Sequence, residues 1–431
     1  MSSSYSCLIL LIDLDGTLTD TANPYFKPMK DGLIETDLSK VPIIAGAIEF
    51  INDQKSKGNI PIITSDSHPK YVKKIANEIF KIDFIYLTDK PNIEKTVEQY
   101  KQLKNNNSFL PELSEKDNFI VIGDSWLDIE FGRKFNFITI FTTFYTPTHI
   151  EERDGIGQDW KPLKSGPTFY ADSFLEVSNI IQNPNDNLLC LEAEFKSFSS
   201  VKSVKFKTDK YPNRFIIYRA LARQNNGECD KFAIADKYFQ IGNPNRTQEF
   251  LNTLSSGISN YVKYICSNKK YSWDIFTFVT DKESTIPQNK MKEIFDKVDT
   301  EIPKHQIFIW KNNLTSSIRN CPDYSHRKDF VKENVNIIDG IDLKDKSIII
   351  IDDQFTTGAT ASEITRKLTD KGAKNIFFIA LFYYINTVYS RTCPNCGEQL
   401  LIKINRKNGN KFLSCVLPQY GGKGCGRTES I

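Results

Sequence analysis

The chain has 431 residues, of which 40% are apolar and 25% charged, and its formal net charge is +3. That length suggests two or three globular domains, and the composition excludes a disordered, collagenous or strongly polybasic protein. No run approaches the roughly 18 apolar residues of a membrane span, so a membrane is excluded as a partner.

The apolar run Cys7–Ile12 is too short for a signal peptide, has no basic residue before it and leads straight into a carboxylate. Leu8–Asp20 reads LILLIDLDGTLTD, a buried strand ending in Asp13 and Asp15 and followed by a Gly turn. The two acids are two positions apart, so both project from the strand end toward one place. One carboxylate can attack a phosphorus atom and the other can protonate the leaving oxygen. Two adjacent acids repel, so a cation is expected. The insert Asn23–Lys40, rich in Pro, Gly and charge, is too small for a large helical cap before the next helix near Ala45. The site is therefore open or covered by a neighbouring domain, and it tolerates a bulky substrate such as a nucleotide or sugar phosphate. Ile60–Ser65, IPIITS, is a second strand containing Thr64. Lys90 precedes a proline. Ile120–Asp128, IVIGDSWLD, is a third strand ending in Gly-Asp, with Asp128 four residues beyond Asp124.

These four stretches, in this order, resemble the haloacid-dehalogenase (HAD) phosphatases, and the resemblance spans nearly all of the first 150 residues. It implies a parallel Rossmann-like sheet with a minimal cap and a Mg2+-dependent phosphatase. Asp13 would be the nucleophile, Asp15 the acid, Thr64 the phosphoryl ligand and Lys90 the neutralising cation. Mg2+ would be held by Asp13, the backbone carbonyl of Asp15 and Asp124, with Asp128 ligating or orienting. A lone Asp-x-Asp is often only an acidic turn, and Lys-Pro occurs in ordinary loops; the order of all four elements favours the family. Tyr145–Gly166, with Trp160, is either part of the rim or a surface excursion.

Turn residues in Ile181–Asn187, IQNPNDN, separate a first domain, 1–183, from a second, 188–390. Leu188–Lys207 alternates like a strand. Arg246–Cys266 carries apolar residues at helical spacing. Ser272–Val279 is a strand, with the loop Thr280–Ser284 at its carboxyl end, and Gln306–Trp310 is another. Asn313–Lys328 is polar and includes Arg319, His326 and Arg327. Ile348–Thr360, IIIIDDQFTTGAT, is a buried strand ending in Asp352 and Asp353; a small-residue turn follows, then a helical pattern over Ser362–Lys371. Free N–H groups of such a turn, the helix dipole, a glycine and the hydroxyls of Thr356, Thr357 and Thr360 form an anion site. The acidic pair suits a diol or a divalent cation. Phosphate at one end and a diol at the other describe a ribose 5-phosphate. Asn375–Tyr384 is a final apolar strand.

This motif resembles the phosphoribosyl-pyrophosphate (PRPP) loop of type I phosphoribosyltransferases, and the basic segment before it resembles the ComF branch. The resemblance implies that Asp352 and Asp353 hold the ribose hydroxyls and that Thr356, Thr357, Gly358, Ala359 and Thr360 cradle the phosphate. A loop at Thr280–Lys282 would hold pyrophosphate, and the basic loop with Arg319 and Arg327 would close over it; a plain turn and a solvated face are the competing readings. Gln354 stands where an apolar residue is common. Thr356 replaces the acidic residue of hypoxanthine-type enzymes, so a 6-oxopurine acceptor is not supported.

In the tail, 391–431, Cys393 and Cys396 form CPNCG, and Cys415 and Cys425 follow. With nine cysteines in all, this pattern suggests a metal site in a reducing, cytoplasmic setting. Four thiolates suit tetrahedral Zn2+. The segment resembles the zinc ribbons at the C-terminus of bacterial type I topoisomerases. Lys403, Arg406, Lys407, Lys411, Lys423 and Arg427, with Phe412 and Tyr420, make a basic aromatic surface fit for nucleic acid; a structural staple or a dimer contact is the competing reading.

The expected whole is an α/β chain: a HAD-type sheet, a type I phosphoribosyltransferase domain and a zinc ribbon. The preferred function is bifunctional, phosphoribosyl transfer from PRPP to a base-like acceptor together with hydrolysis of a phosphorylated small molecule. A PRPP- or nucleotide-sensing nucleic-acid-binding protein and a phosphatase alone are the alternatives, and an oligomer stays open.

Overall fold

The computed structural model describes residues 7–86, 93–145, 161–211, 214–224, 232, 234–268, 271–282, 289–311, 318, 321, 324–385, 389–404, 411–415, 417 and 424–430. The chain divides into two compact units, Met1–Pro184 with Asn386–Ser414 and Thr428–Ile431, and Asn185–Ile385 with Cys415–Arg427.

Six strands make the sheet of the first unit: β1 Ile9–Asp13, β2 Ile60–Ser65, β3 Asp83–Tyr86, β4 Phe119–Gly123, β5 Ile138–Thr142 and β6 Phe169–Ala171. Their order is β3-β2-β1-β4-β5-β6 and all pairings are parallel. Every residue of β1 and β4 is buried, as a parallel strand covered on both faces requires, which is why both are unbroken apolar runs. Strand order reverses between β1 and β4, so a crevice opens at their carboxyl ends. Asp13 pairs with Thr64 across β1 and β2, which sets the two side by side at that crevice. Beneath it, Ile9, Leu11, Ile62, Phe119 and Val121 form the core, extended by Phe119 and Phe137 stacked at 4.6 Å.

The second unit holds β7 Val204–Tyr211, β8 Arg214–Ala220, β9 Arg223–Gln224, β10 Ile275–Phe278, β11 Phe308–Trp310, β12 Val335–Ile337, β13 Ser347–Phe355 and β14 Asn375–Tyr384. Its main sheet runs β10-β13-β14-β8-β7, with β9 also beside β14; only the edge strand β7 pairs antiparallel. The Gln248–Ser267 helix, capped by Thr247, buries Phe250, Leu251, Leu254, Ile258, Tyr261, Val262 and Ile265, the apolar stripe read from its spacing.

Two local expectations are corrected. Leu188–Lys207 is not one strand: Cys190–Glu194 is helical and β7 starts at Val204. The helix carries Glu192 to Arg223, whose Nε and Nη2 donate to its two carboxylate oxygens at 2.9 and 3.0 Å with both side chains fully buried. That distant partner overrides the local alternation. The second correction concerns the acidic motif. β13 continues through both acids to Phe355, and the helix begins at Ala359, ahead of Ser362, because Gly358 caps it at φ +78°.

β15 Tyr389–Thr392, β16 Gln399–Ile404, β17 Lys411–Cys415 and β18 Thr428–Ser430 form a four-stranded sheet in that order. Among the described residues no helix is long and apolar enough to cross a membrane.

Candidate active sites at the carboxyl ends of two sheets

In the first unit, Asp13 ends β1, Asp124 follows β4, and Asp128 lies in the first turn of the Trp126–Lys134 helix. All three are buried, and each offers a carboxylate oxygen within 4.8 Å of the others'. Local chemistry builds this cluster. Ser125 caps the helix, and its N–H and hydroxyl donate to Asp128 Oδ2 at 3.0 and 2.8 Å. Gly16 has φ +101°, and a Cβ on it would lie 2.3 Å from Asp124 Oδ2. A Cβ on Gly123 would lie 2.3 Å from Asp128 Cγ. Two glycines thus leave room for two carboxylates, which a side chain would displace. Three buried acids with hard oxygen donors fit a divalent cation such as Mg2+. Beside them Thr64 Oγ1 is buried and forms no hydrogen bond among the described residues.

The Asp15 carboxylate is turned to other partners. It accepts hydrogen bonds from Thr21 Oγ1 at 2.5 Å, Ser67 Oγ at 2.6 Å and Tyr71 OH at 2.9 Å. Burial, and then the charge of Asp15, push the Tyr71 phenol far above its ordinary pKa, so it stays a donor. Both oxygens of the Asp15 carboxylate are thus engaged by hydroxyl donors. Lys90 and Trp160 lie outside the described residues.

In the second unit, Asp352 and Asp353 stand on β13. Burial, and then the charge of Asp353, raise the pKa of Asp352 well above the carboxylate range. Asp353 accepts a hydrogen bond from Lys290 Nζ at the start of the Lys290–Lys297 helix. Burial would lower the lysine's pKa, but the charge of Asp353 and this hydrogen bond outweigh it and the ammonium persists. Asp281, which accepts the N–H of Met291 at 2.7 Å, is pushed up to about 6 by burial. Past β13, Ala359 N–H reaches Thr357 Oγ1 at 3.4 Å, and Ala359 and Thr360 open the Ala359–Asp370 helix. Arg327 Nη1 donates to Thr356 Oγ1 at 3.4 Å, so one cation of the basic segment meets the threonine turn; Arg319 lies outside the described residues. Thr280 accepts Trp310 Nε1 on its carbonyl at 2.7 Å, and Lys282 Nζ sits 4.6 and 4.5 Å from the Trp310 and Phe330 ring centres. Gln354 ties the motif to Tyr238 OH at 2.9 Å and to Gln224 Oε1 at 2.6 Å, which accounts for a polar residue there.

The sulfurs of Cys393, Cys396, Cys415 and Cys425 lie within 4.8 Å of one another, a soft tetrahedral donor set that fits Zn2+. Cys425 N–H points at Cys415 Sγ at 3.3 Å. The N–H groups of Gly397 and Gly426 bond to the carbonyls of Cys393 and Cys415, at 2.9 and 3.0 Å, rather than to sulfur. Arg406, Lys407, Tyr420 and Lys423 lie outside the described residues.

Neither family models nor characterised proteins yield a match to this chain. Among solved structures, a predicted phosphatase from Clostridium acetobutylicum is 19% identical at a TM-score of 0.30, covering 41% of this chain and 99% of its own. A hydrolase from Pseudomonas syringae is 14% identical at 0.30, covering 41% of this chain and 98% of its own. The allosteric regulatory enzyme of purine biosynthesis is 20% identical at 0.23, over 33% of this chain and 30% of its own. At this level a likeness says nothing of substrate, and the chemistry has to come from the sites.

Several neighbours of the acids carry no motif. Thr21, Ser67, Tyr71, Lys30, Lys290, Asp281, Gln224 and Tyr238 reach the two sites from separate elements. Only Ser67, three positions past Thr64, had a local signal, its place just beyond a strand tip.

Proposed function

We propose that the chain is a two-site phosphate-handling enzyme, with a Mg2+-dependent phosphomonoesterase in the first unit and a PRPP-dependent transferase in the second. The observation that carries this is the buried Asp13–Asp124–Asp128 cluster beside the hydroxyl of Thr64 at the carboxyl ends of parallel strands.

In the first unit, Asp13 attacks phosphorus and forms an acyl phosphate as the bond to the leaving oxygen breaks. Asp15 delivers a proton to that oxygen, then takes one from the water that hydrolyses the acyl phosphate, which releases orthophosphate and restores Asp13. Thr21, Ser67 and Tyr71 orient Asp15, and the Thr64 hydroxyl binds a phosphoryl oxygen. Asp124 and Asp128, with Asp13 and the Asp15 carbonyl, would hold Mg2+, which when bound offsets the charge of acids and phosphate. Lys90 is assigned as the further cation.

In the second unit, Asp352 and Asp353 hold a ribose diol and the turn Thr356–Thr360 holds its phosphate, with Arg327 adding charge. The acceptor is a nitrogenous base outside the 6-oxopurines. Lys290 on Asp353 favours a second reading, ligand sensing without transfer, because one acid of the pair is already engaged. Cys393, Cys396, Cys415 and Cys425 would hold Zn2+, which when bound cross-links its module; the ribbon contacts nucleic acid in the sensing reading.

Asp13→Asn should lower Mg2+-dependent orthophosphate release from p-nitrophenyl phosphate by about a thousandfold or more, with the thermal midpoint preserved. A variant as active as the parent sinks the phosphatase. For the second unit, pyrophosphate release from PRPP with a panel of bases should vanish in Asp352→Asn/Asp353→Asn; PRPP binding without release would favour sensing.

A further inference from the structure

The insert between β1 and the Ala47–Ser56 helix is small, yet it is fixed. His68 N–H donates to the Lys30 carbonyl at 2.7 Å, and Lys74 Nζ donates to the Thr36 carbonyl at 2.8 Å. Gly32, at φ +71°, lies so close under the His68 ring that a Cβ would come within 2.5 Å of its Cγ. Met29 is buried. The segment is therefore pinned along the start of the Pro69–Ile75 helix at several points.

What it brings to the site is the Lys30 ammonium, 3.9 Å from Asp15 Oδ1, with side chains 19% and 8% exposed. That separation is an ion pair too long for a hydrogen bond. Asp15 does not need it, since three hydroxyls already donate to its oxygens. Lys30 Nζ makes no hydrogen bond to any described residue, and among those residues it is the one cation within 4 Å of Asp15. A fixed, half-buried ammonium with its donors available is a binding group.

Resting on the phosphatase reading, we propose that Lys30 recognises the leaving group, and that the substrate's leaving group carries its own anion, a carboxylate or a second phosphate. The geometry gives the reason. Asp15 serves the leaving oxygen, so the atoms next to that oxygen lie beside Lys30. Mg2+, when bound, would offset the charge of the acids around phosphorus, whereas Lys30 is the cation beside the leaving group among the described residues. With it, such a group gains a charge-assisted contact that a neutral one lacks, and selectivity follows.

The test uses the full chain with Mg2+ and two substrates of one carbon skeleton, phosphoglycerate and glycerol phosphate, with p-nitrophenyl phosphate as reference. The parent should prefer phosphoglycerate by roughly tenfold or more in kcat/KM. Lys30→Met and Lys30→Gln should both bring that ratio toward one, and Lys30→Arg should retain most of it. The loss should fall on KM, and all three variants should melt with the parent. A parent that cleaves p-nitrophenyl phosphate without preferring the anionic partner, or a ratio kept in both Lys30→Met and Lys30→Gln, overturns the assignment and leaves the phosphatase standing. A parent inert toward all three substrates removes the phosphatase itself, and the role of Lys30 goes with it.

Discussion

Asp13 and Asp15 are two positions apart and have different surroundings. Asp13 joins Asp124 and Asp128, whereas Asp15 is enclosed by hydroxyls from Thr21, Ser67 and Tyr71. The strand ends at Asp13, and the turn that follows, with Gly16 at φ +101°, takes Asp15 out of the strand's alternation, so one acid joins the acidic cluster and its neighbour a hydrogen-bonded pocket. The acids of the second unit are separated by burial and by a lysine. Asp281 there has a testable consequence. Burial moves its pKa from 3.8 to about 6, and Asp352 is moved in the same direction. The fold thus holds these protons more tightly than the unfolded chain does. The stability they contribute is full below the unfolded value and is lost as pH rises through the folded value. For Asp281 that window runs from 3.8 to about 6. Asp281→Asn should make the second unit more stable than the parent near about pH 7 and leave it similar near about pH 4, as read by urea unfolding. Equal midpoints at both pH values would rule out a titrating Asp281.

At the level of elements, both sites rest on one device, a buried parallel strand that runs out into acids and then into a glycine with positive φ. Gly16 and Gly358 hold those places at φ +101° and +78°. At Gly16 the backbone and the space agree: the conformation is left-handed, and the Asp124 carboxylate fills the volume of a side chain. Gly16→Ala should therefore weaken Mg2+ affinity by about tenfold or more through displacement of Asp124. Calorimetric titration of Mg2+ checks this, with far-ultraviolet circular dichroism as the control for folding. Parent-like affinity would show that Asp124 is not a ligand. The same scale explains the misjudged segment 188–207. Alternation alone pointed to a strand, but the contact of Glu192 with Arg223 depends on residues about thirty positions later, and helical Cys190–Glu194 delivers it.

At the scale of the whole molecule, three side-chain clusters share one chain: acids at the ends of strands in two sheets, and four thiols. The thiol cluster lies among short strands, and metal ligation there would supply folding energy. Elemental analysis of the purified chain should find about one zinc per molecule, and Cys415→Ser should lose most of it. A chain free of zinc after purification without chelators, with all four cysteines reduced, would refute a structural zinc.

The local devices are legible in the residues alone. Apolar β-branched runs, acid pairs, small-residue turns and the Cys-x-x-Cys spacing are written in consecutive residues, because strand burial and turn geometry act over a few positions. The stripe of the Gln248–Ser267 helix was legible for the same reason. Which distant groups meet the acids and Gln354 depends on the tertiary structure. Tyr71 and Lys30 at Asp15, Lys290 at Asp353 and Gln224 at Gln354 come from segments whose approach is set by sheet order and packing, and no local pattern encodes a contact made across that many residues.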